Sequence, residues 1–273
     1  MKRSLFFLGL IFFGFISHTG FSQELVVLPS EHLNRPDSMY IFTPASYEQG
    51  QSYPTLFLLH GFSGCYKDWS EHMDVQALAD KYGFIIVCPD GFYNGWYVNS
   101  SQPRGPQWRS FFSRELYPYI QKTYMTHPET CFISGLSMGG HGAINIFIDQ
   151  PDWFRAAGTM SGVMDLHHTN LREKYVSELL GEYSASNARF YTESAINRLE
   201  NLVPTEKIIL IHCAYDDPYA KSSRQFADRC QELGIPYMMM LSPGTHSWAF
   251  WTYAVQKQLD IFAQLVKGEN LGY

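Results

Sequence analysis

A glycine-flanked serine is the strongest chemical signal in the sequence. Gly135-Leu136-Ser137-Met138-Gly139 follows an apolar segment and precedes a pattern typical of a helix. A sharp turn from strand to helix strains the serine backbone and presents its hydroxyl at the sheet edge. The Met138 amide then lies at the start of the helix, where it can donate to a negatively charged oxygen. The pattern therefore predicts Ser137 as a nucleophile for acyl transfer and Met138 as an oxyanion donor.

A histidine must accompany this serine, because a serine hydroxyl is a poor nucleophile at neutral pH until a base takes its proton. With this type of turn the chain order is serine, acid, histidine. His246 fits that order: it lies in Gly244-Thr245-His246-Ser247, after the last predicted strand and before a helix. The other histidines come too early or lie inside an element, as His212 does. We therefore expect His246 to be the base.

The acid is less sharply defined by the sequence. Asp216 and Asp217 directly follow a predicted strand, which is where the carboxylate belongs, and Asp165 is a minor alternative after another strand. Spacing alone does not separate Asp216 from Asp217. Either could instead be a solvent-facing acid at a helix N-terminus.

A second oxyanion donor should come from the loop after the strand at residues 55–59. That loop reads His60-Gly61-Phe62-Ser63-Gly64, so the Phe62 amide is the candidate.

A fold must hold these residues together, and the alternation of predicted strands and helices along the chain indicates which one. Nearly continuous apolar segments are typical of parallel strands covered on both faces. Their alternation with helices predicts a doubly wound α/β domain over residues 23–273, with residues 163–202 as a possible helical excursion. The predicted strands are residues 39–43, 55–59, 84–88, 130–134, 156–160, 207–213 and 237–241, and the predicted helices are 75–82, 109–124, 138–149, 189–199, 219–233 and 247–266.

The N-terminus has the layout of a secretory signal peptide. Lys2 and Arg3 precede an apolar stretch, and small residues follow it. We place cleavage after Ser22, so residues 1–22 are excluded from the domain and the mature protein is expected in the periplasm or secreted, with no membrane contact. An uncleaved anchor or a buried first helix is the alternative.

Composition excludes several classes of function. With 20 Lys+Arg against 26 Asp+Glu and no basic run, nucleic-acid binding is disfavoured. No cysteine or histidine spacing is typical of zinc, so no metal is expected. Five cysteines cannot all pair. Cys65 and Cys230 lie in more polar sequence than the other three, and an exported protein could link two of the five.

Taken together, the motifs resemble the putative-esterase group of α/β-hydrolases, which includes esterase D, feruloyl and acetyl-xylan esterases, tributyrin esterases and mycolyltransferases. They occur in order over about residues 39–252, nearly all of the expected mature chain. The matching segments are Leu58-Leu59-His60-Gly61 with Trp69 downstream, Val87-Cys88-Pro89-Asp90-Gly91, Arg114-Glu115-Leu116, Gly135-Leu136-Ser137-Met138-Gly139-Gly140, Cys213-Ala214-Tyr215-Asp216-Asp217 and Gly244-Thr245-His246-Ser247-Trp248.

The resemblance implies an α/β-hydrolase fold with a mostly parallel sheet and helices on both faces, and an esterase that needs no cofactor. It implies Ser137 as nucleophile, His246 as base and the Phe62 and Met138 amides as oxyanion donors. It also ranks Asp217 above Asp216, although Ala214 and the second acid depart from the family pattern.

The substrate is expected to be a small-molecule or polysaccharide ester with a short acyl, acetyl or feruloyl group. Trp69, Trp96 and Trp248 are candidate pocket residues, with packing in the core as the alternative for each. Export favours an environmental ester over a cytosolic thioester. An acyltransferase with the same triad, or a non-catalytic glycan-binding protein on this scaffold, remains an alternative.

Overall fold

The computed structural model describes residues 23–184, 186–269 and 271. The predicted signal peptide, residues 1–22, lies outside the described residues. Among the residues that are described, no helix is both long and apolar enough to cross a bilayer.

Eight strands form one sheet in the order β1-β2-β4-β3-β5-β6-β7-β8. β1 and β2 run antiparallel to their neighbours, and all the other pairs are parallel. The strands are β1 (Gln23–Leu28), β2 (Asp37–Phe42), β3 (Tyr53–Leu59), β4 (Ile85–Pro89), β5 (Thr126–Gly135), β6 (Ala156–Met160), β7 (Ile208–Ala214) and β8 (Tyr237–Ser242).

The helices cover both faces of this sheet. They are α1 (Asp68–His72), α2 (Val75–Tyr82), α3 (Trp108–Phe111), α4 (Tyr117–Thr123), α5 (Met138–Asp149), α6 (Ser177–Leu180), α7 (Ala188–Thr192), α8 (Ala220–Glu232) and α9 (Trp248–Val266). Short π segments occupy Phe112–Leu116 and Arg172–Val176, and single 3-10 turns are Pro151–Trp153, Leu166–His168, Ala195–Asn197 and Leu199–Leu202.

Alternating side chains of the central strands build two cores. Phe57 and Ile133 pack on one face with α5 and α8, whereas Leu58 and Phe132 pack on the other with α2 and α9. Because both faces are buried, the central parts of these strands are mostly apolar. The central strands are therefore rigid supports for the loops at their carboxyl ends.

Two predicted helices are wrong in extent. Residues 109–124 form α3, a π turn and α4 rather than one α-helix. Pro118 in the first turn of α4 has no N–H to donate to the preceding turn, which explains the change of hydrogen-bond register there. Residues 189–199 are helical only through Thr192, and the remainder forms 3-10 turns within an irregular excursion over residues 163–202.

Candidate active site

Ser137 occupies the turn between β5 and α5 in a left-handed conformation, with φ 50° and ψ −114°. This conformation is strained for a residue with a side chain. Gly139 makes the turn possible, because a Cβ there would lie 2.4 Å from the His60 carbonyl oxygen and 2.5 Å from that of Leu59. The glycine thus lets α5 begin directly against the end of β3.

Three side chains from three strand ends are joined by hydrogen bonds. The Ser137 Oγ lies 3.0 Å from His246 Nε2, and His246 Nδ1 lies 2.9 Å from Asp217 Oδ2. The Asp217 carboxyl is fully buried, and its Oδ1 accepts from the Tyr219 amide at 2.8 Å. A neutral imidazole that donates from Nδ1 to the carboxylate leaves Nε2 free to accept the serine proton.

The other acids considered from the sequence lie elsewhere. Asp216 is exposed to solvent, and in the described part of the chain no hydrogen bond joins its side chain to His246. Asp165 instead accepts from the His167 backbone amide and faces the rings of His167 and His168. The structure therefore brings only Asp217 to the histidine.

The two expected oxyanion donors flank the serine. Met138 follows Ser137 at the first position of α5, and Phe62 lines the same pocket as Ser137. Among the described residues, neither amide donates to a protein acceptor. Gly61 allows the close approach of the Phe62 loop, because a Cβ there would lie 2.5 Å from the Leu136 side chain.

His60 holds this loop in place, a role that sequence reasoning missed. Its buried ring accepts from the Gly91 amide at Nε2, 2.7 Å away, and so donates from Nδ1 to the Gly61 carbonyl at 2.8 Å. The Tyr97 hydroxyl donates to the His60 carbonyl at 2.9 Å. The available signal was the position of His60 directly after β3 and before a glycine.

A family model described as putative esterase matches residues 30–260. The chain belongs to the putative-esterase family. It is 23% identical to S-formylglutathione hydrolase of Arabidopsis thaliana, over 87% of this chain and 91% of the relative. It is 25% identical to an acetyl esterase of Caldicellulosiruptor saccharolyticus, over 83% and 87% of the two chains. The solved structure of a ferulic acid esterase is similar with a TM-score of 0.73 and 26% identity, over 90% of this chain and 99% of that one.

The chain is accordingly a serine esterase with an α/β-hydrolase fold. The expected fold class and enzyme class are both confirmed.

This esterase has a pocket of about 330 Å³ over Ser137. Aromatic, aliphatic and polar groups share its wall, and the first turn of α9 closes one side. The lining residues are Gly61, Phe62, Ser63, Asp68, Leu136, Ser137, Asn170, Leu171, Pro218, Tyr219, His246, Trp248 and Trp251.

Of the three tryptophans predicted for the pocket, only Trp248 lines it. Trp69 is 1% exposed, donates from Nε1 to the Leu59 carbonyl and packs edge-on behind Trp248. Trp96 is fully buried and packs against His141 beneath α5. The predictions for Trp69 and Trp96 are therefore wrong, because both indole rings complete the core under the loops instead of facing the cavity.

Among residues 23–184, 186–269 and 271, no cluster of three metal-ligating side chains occurs. All five cysteines are free. Cys230 is buried in the core, contrary to its polar sequence context, and burial raises the pKa of its thiol to about 12.

Proposed function

We propose that this esterase hydrolyses short-chain acyl esters or acetyl and feruloyl esters of carbohydrates through an acyl-enzyme on Ser137. The observation that carries the proposal is the continuous hydrogen-bonded chain from Ser137 through His246 to the buried Asp217. That chain links a nucleophile, a base and an orienting carboxylate in the roles that acyl transfer requires.

In the proposed reaction, the Ser137 oxygen attacks the ester carbonyl carbon while His246 Nε2 accepts the serine proton. The Phe62 and Met138 amides donate to the oxyanion of the tetrahedral intermediate. Asp217 stabilises the imidazolium, which then protonates the departing alcohol as the ester C–O bond breaks. Water repeats the sequence on the acyl-enzyme and releases the acid.

Two lines support the proposed substrate class. Similar proteins include an acetyl esterase and a ferulic acid esterase. The pocket volume of about 330 Å³ is at the small end of the range for ligand sites, which suits a short acyl group.

Location in the periplasm or outside the cell is also part of the proposal and rests on the signal-like N-terminus. N-terminal sequencing of the exported protein should then read Gln23 first, and an uncleaved Met1 would contradict it.

The test compares p-nitrophenyl acetate, butyrate and octanoate with methyl ferulate and acetylated xylan. Wild type should turn over the shorter esters, and Ser137→Ala should lower kcat by at least about 10⁴-fold while unfolding at the same temperature. Absence of turnover by folded wild type on all five would overturn the proposal.

The acyltransferase alternative is decided in the same assay. Adding a sugar or glycerol acceptor should leave the yield of free acid unchanged if water is the acceptor. Acyl-sugar formed at the expense of free acid would replace hydrolysis with transfer.

A further inference from the structure

Among the described residues, the wall of the pocket over Ser137 contains an acidic side chain but no lysine or arginine. Its wall includes four aromatic side chains, Phe62, Tyr219, Trp248 and Trp251, and one carboxylate, Asp68. None of its lining residues is Lys or Arg. An anionic substrate group would therefore find no cation to pair with there, whereas a cationic group would meet both a carboxylate and aromatic faces.

Asp68 is held in position by its own loop. It is the first residue of α1, and its Oδ1 accepts from the Cys65 amide at 3.0 Å. Its Oδ2 lies over Gly64, where a Cβ would come within 1.9 Å of that oxygen. Within the described part of the chain, Asp68 forms no ion pair and Oδ2 accepts no hydrogen bond. The negative charge is thus fixed, half-buried and uncompensated.

Trp248 lines the same pocket as Asp68 but comes from a different element. It begins α9, and the His72 ring stacks on it with centroids 3.9 Å apart and planes 9° apart. Trp69 and Trp251 pack edge-on against it. Aromatic rings and a carboxylate that line one pocket are the groups that recognise quaternary ammonium and protonated amine groups.

We propose that Asp68 is a specificity-determining residue that makes this pocket favour esters with a cationic group and reject esters with an anionic one. The inference rests on the proposed esterase function and deepens it, because it names the charge class of the substrate. It requires no change in the reaction at Ser137.

The first experiment compares three acetate esters of similar size: acetylcholine, its uncharged isostere 3,3-dimethylbutyl acetate, and the anionic 2-acetoxyethanesulfonate. Choline is intrinsically the better leaving group of the isosteric pair. The informative quantity is therefore the cation-to-neutral ratio of kcat/KM in wild type divided by the same ratio in a variant, in which this chemical difference cancels.

Asp68→Asn is the decisive variant, because the amide oxygen can still accept from the Cys65 amide. It should lower the cation-to-neutral ratio about five- to tenfold and raise the relative rate on the anionic ester. Glu71→Gln is the matched control: it removes an acid from the same helix, at an exposed position outside the pocket. An unchanged ratio in Asp68→Asn, or an equal fall in Glu71→Gln, would overturn the inference.

A second experiment needs no variant and so does not depend on the folding of one. Choline should inhibit wild-type hydrolysis of p-nitrophenyl acetate competitively, at a concentration at least about fivefold lower than 3,3-dimethyl-1-butanol. Equal inhibition by both alcohols would overturn the charge inference while leaving the esterase intact. No hydrolysis of p-nitrophenyl acetate would instead defeat the proposed function itself.

Discussion

The parallel strands of the central sheet have a surface depression at each end. The carboxyl ends of the strands, here called the carboxyl edge, and their amino ends, the amino edge, place different groups in these depressions. The carboxyl edge has the pocket of about 330 Å³ over Ser137, whereas the amino edge has a depression of about 890 Å³ near the starts of β3, β5 and β7. Ser52 and His127 both line the larger depression, but His127 accepts from the Glu129 amide. In the described chain no hydrogen bond joins that serine to that histidine.

The volume of a depression therefore does not indicate where the reaction occurs in this protein. At the carboxyl edge, parallel strands end together, and a strained turn and the start of a helix converge on one point. At the amino edge the cationic groups of Arg155 and Lys207 mix with the carboxylates of Glu129 and Asp152, without a nucleophile activated by a base. A site needs connected groups, and only the smaller depression has them.

Apart from removal of the nucleophile itself, the largest expected effect is that of Asp217→Asn. The asparagine amide would donate where the carboxylate accepts and would favour the wrong imidazole tautomer, so kcat should fall about 10³- to 10⁴-fold. Asp216→Asn removes the same charge one residue away, on an exposed side chain, and should change kcat by less than about twofold. Steady-state kinetics on p-nitrophenyl acetate with both variants makes the test. Comparable losses in the two would mean that the carboxyl edge works through its general charge and not through the connected triad.

Asp216 and Asp217 also show how much of the site could be predicted from the sequence. The chain order of the motifs was enough to nominate Ser137 and His246, but Asp216 and Asp217 are adjacent, and only the turn after β7 decides which carboxyl is buried. Apolar patterns predicted β6, α2 and α5 at their observed bounds. β6 and α5 are buried along almost their whole length, and α2 buries residues at helical spacing.

Predictions from the sequence were wrong or missing where buried and exposed residues are of the same type. Trp69 in α1 and Trp248 at the start of α9 both come shortly after strands, yet one is core and the other lines the pocket. Tertiary packing alone decides which of the two rings is buried. β1 was not predicted, since this edge strand pairs on one side only and leaves Leu25 and Val27 exposed.

A second, intermediate effect is a loss of folding stability in acid that arises at the carboxyl edge. His212 lies buried in the carboxyl half of β7, where burial lowers the pKa of its imidazole from 6.5 to about 4. The unfolded chain therefore binds a proton that the folded chain does not, so this contribution to stability is complete above pH 6.5 and is lost as the pH falls towards 4. Between pH 7 and pH 5 the loss should be about 2 kcal/mol.

Urea unfolding at both pH values measures this loss as the difference between wild type and His212→Leu. The variant comparison is needed because burial raises the pKa of Asp37, and a carboxyl that stays protonated in the folded state changes stability with the opposite sign. The assignment fails if His212→Leu loses as much stability on acidification as wild type does.

The smallest expected effect is on the amino edge itself. The Lys207 ammonium donates to the Pro151 carbonyl in the wall of the larger depression. Lys207→Met keeps most of the aliphatic stem and removes this hydrogen bond, so the free energy of unfolding should fall by about 1 kcal/mol. Because Lys207 precedes the start of β7 and the triad acid Asp217 follows its end, kcat/KM should stay within about twofold of wild type. Urea unfolding and the p-nitrophenyl acetate assay measure the two quantities on the same protein. A drop in kcat/KM beyond about fivefold at unchanged stability would show that the amino edge is coupled to the reaction, and the contrast between the two edges would then no longer hold.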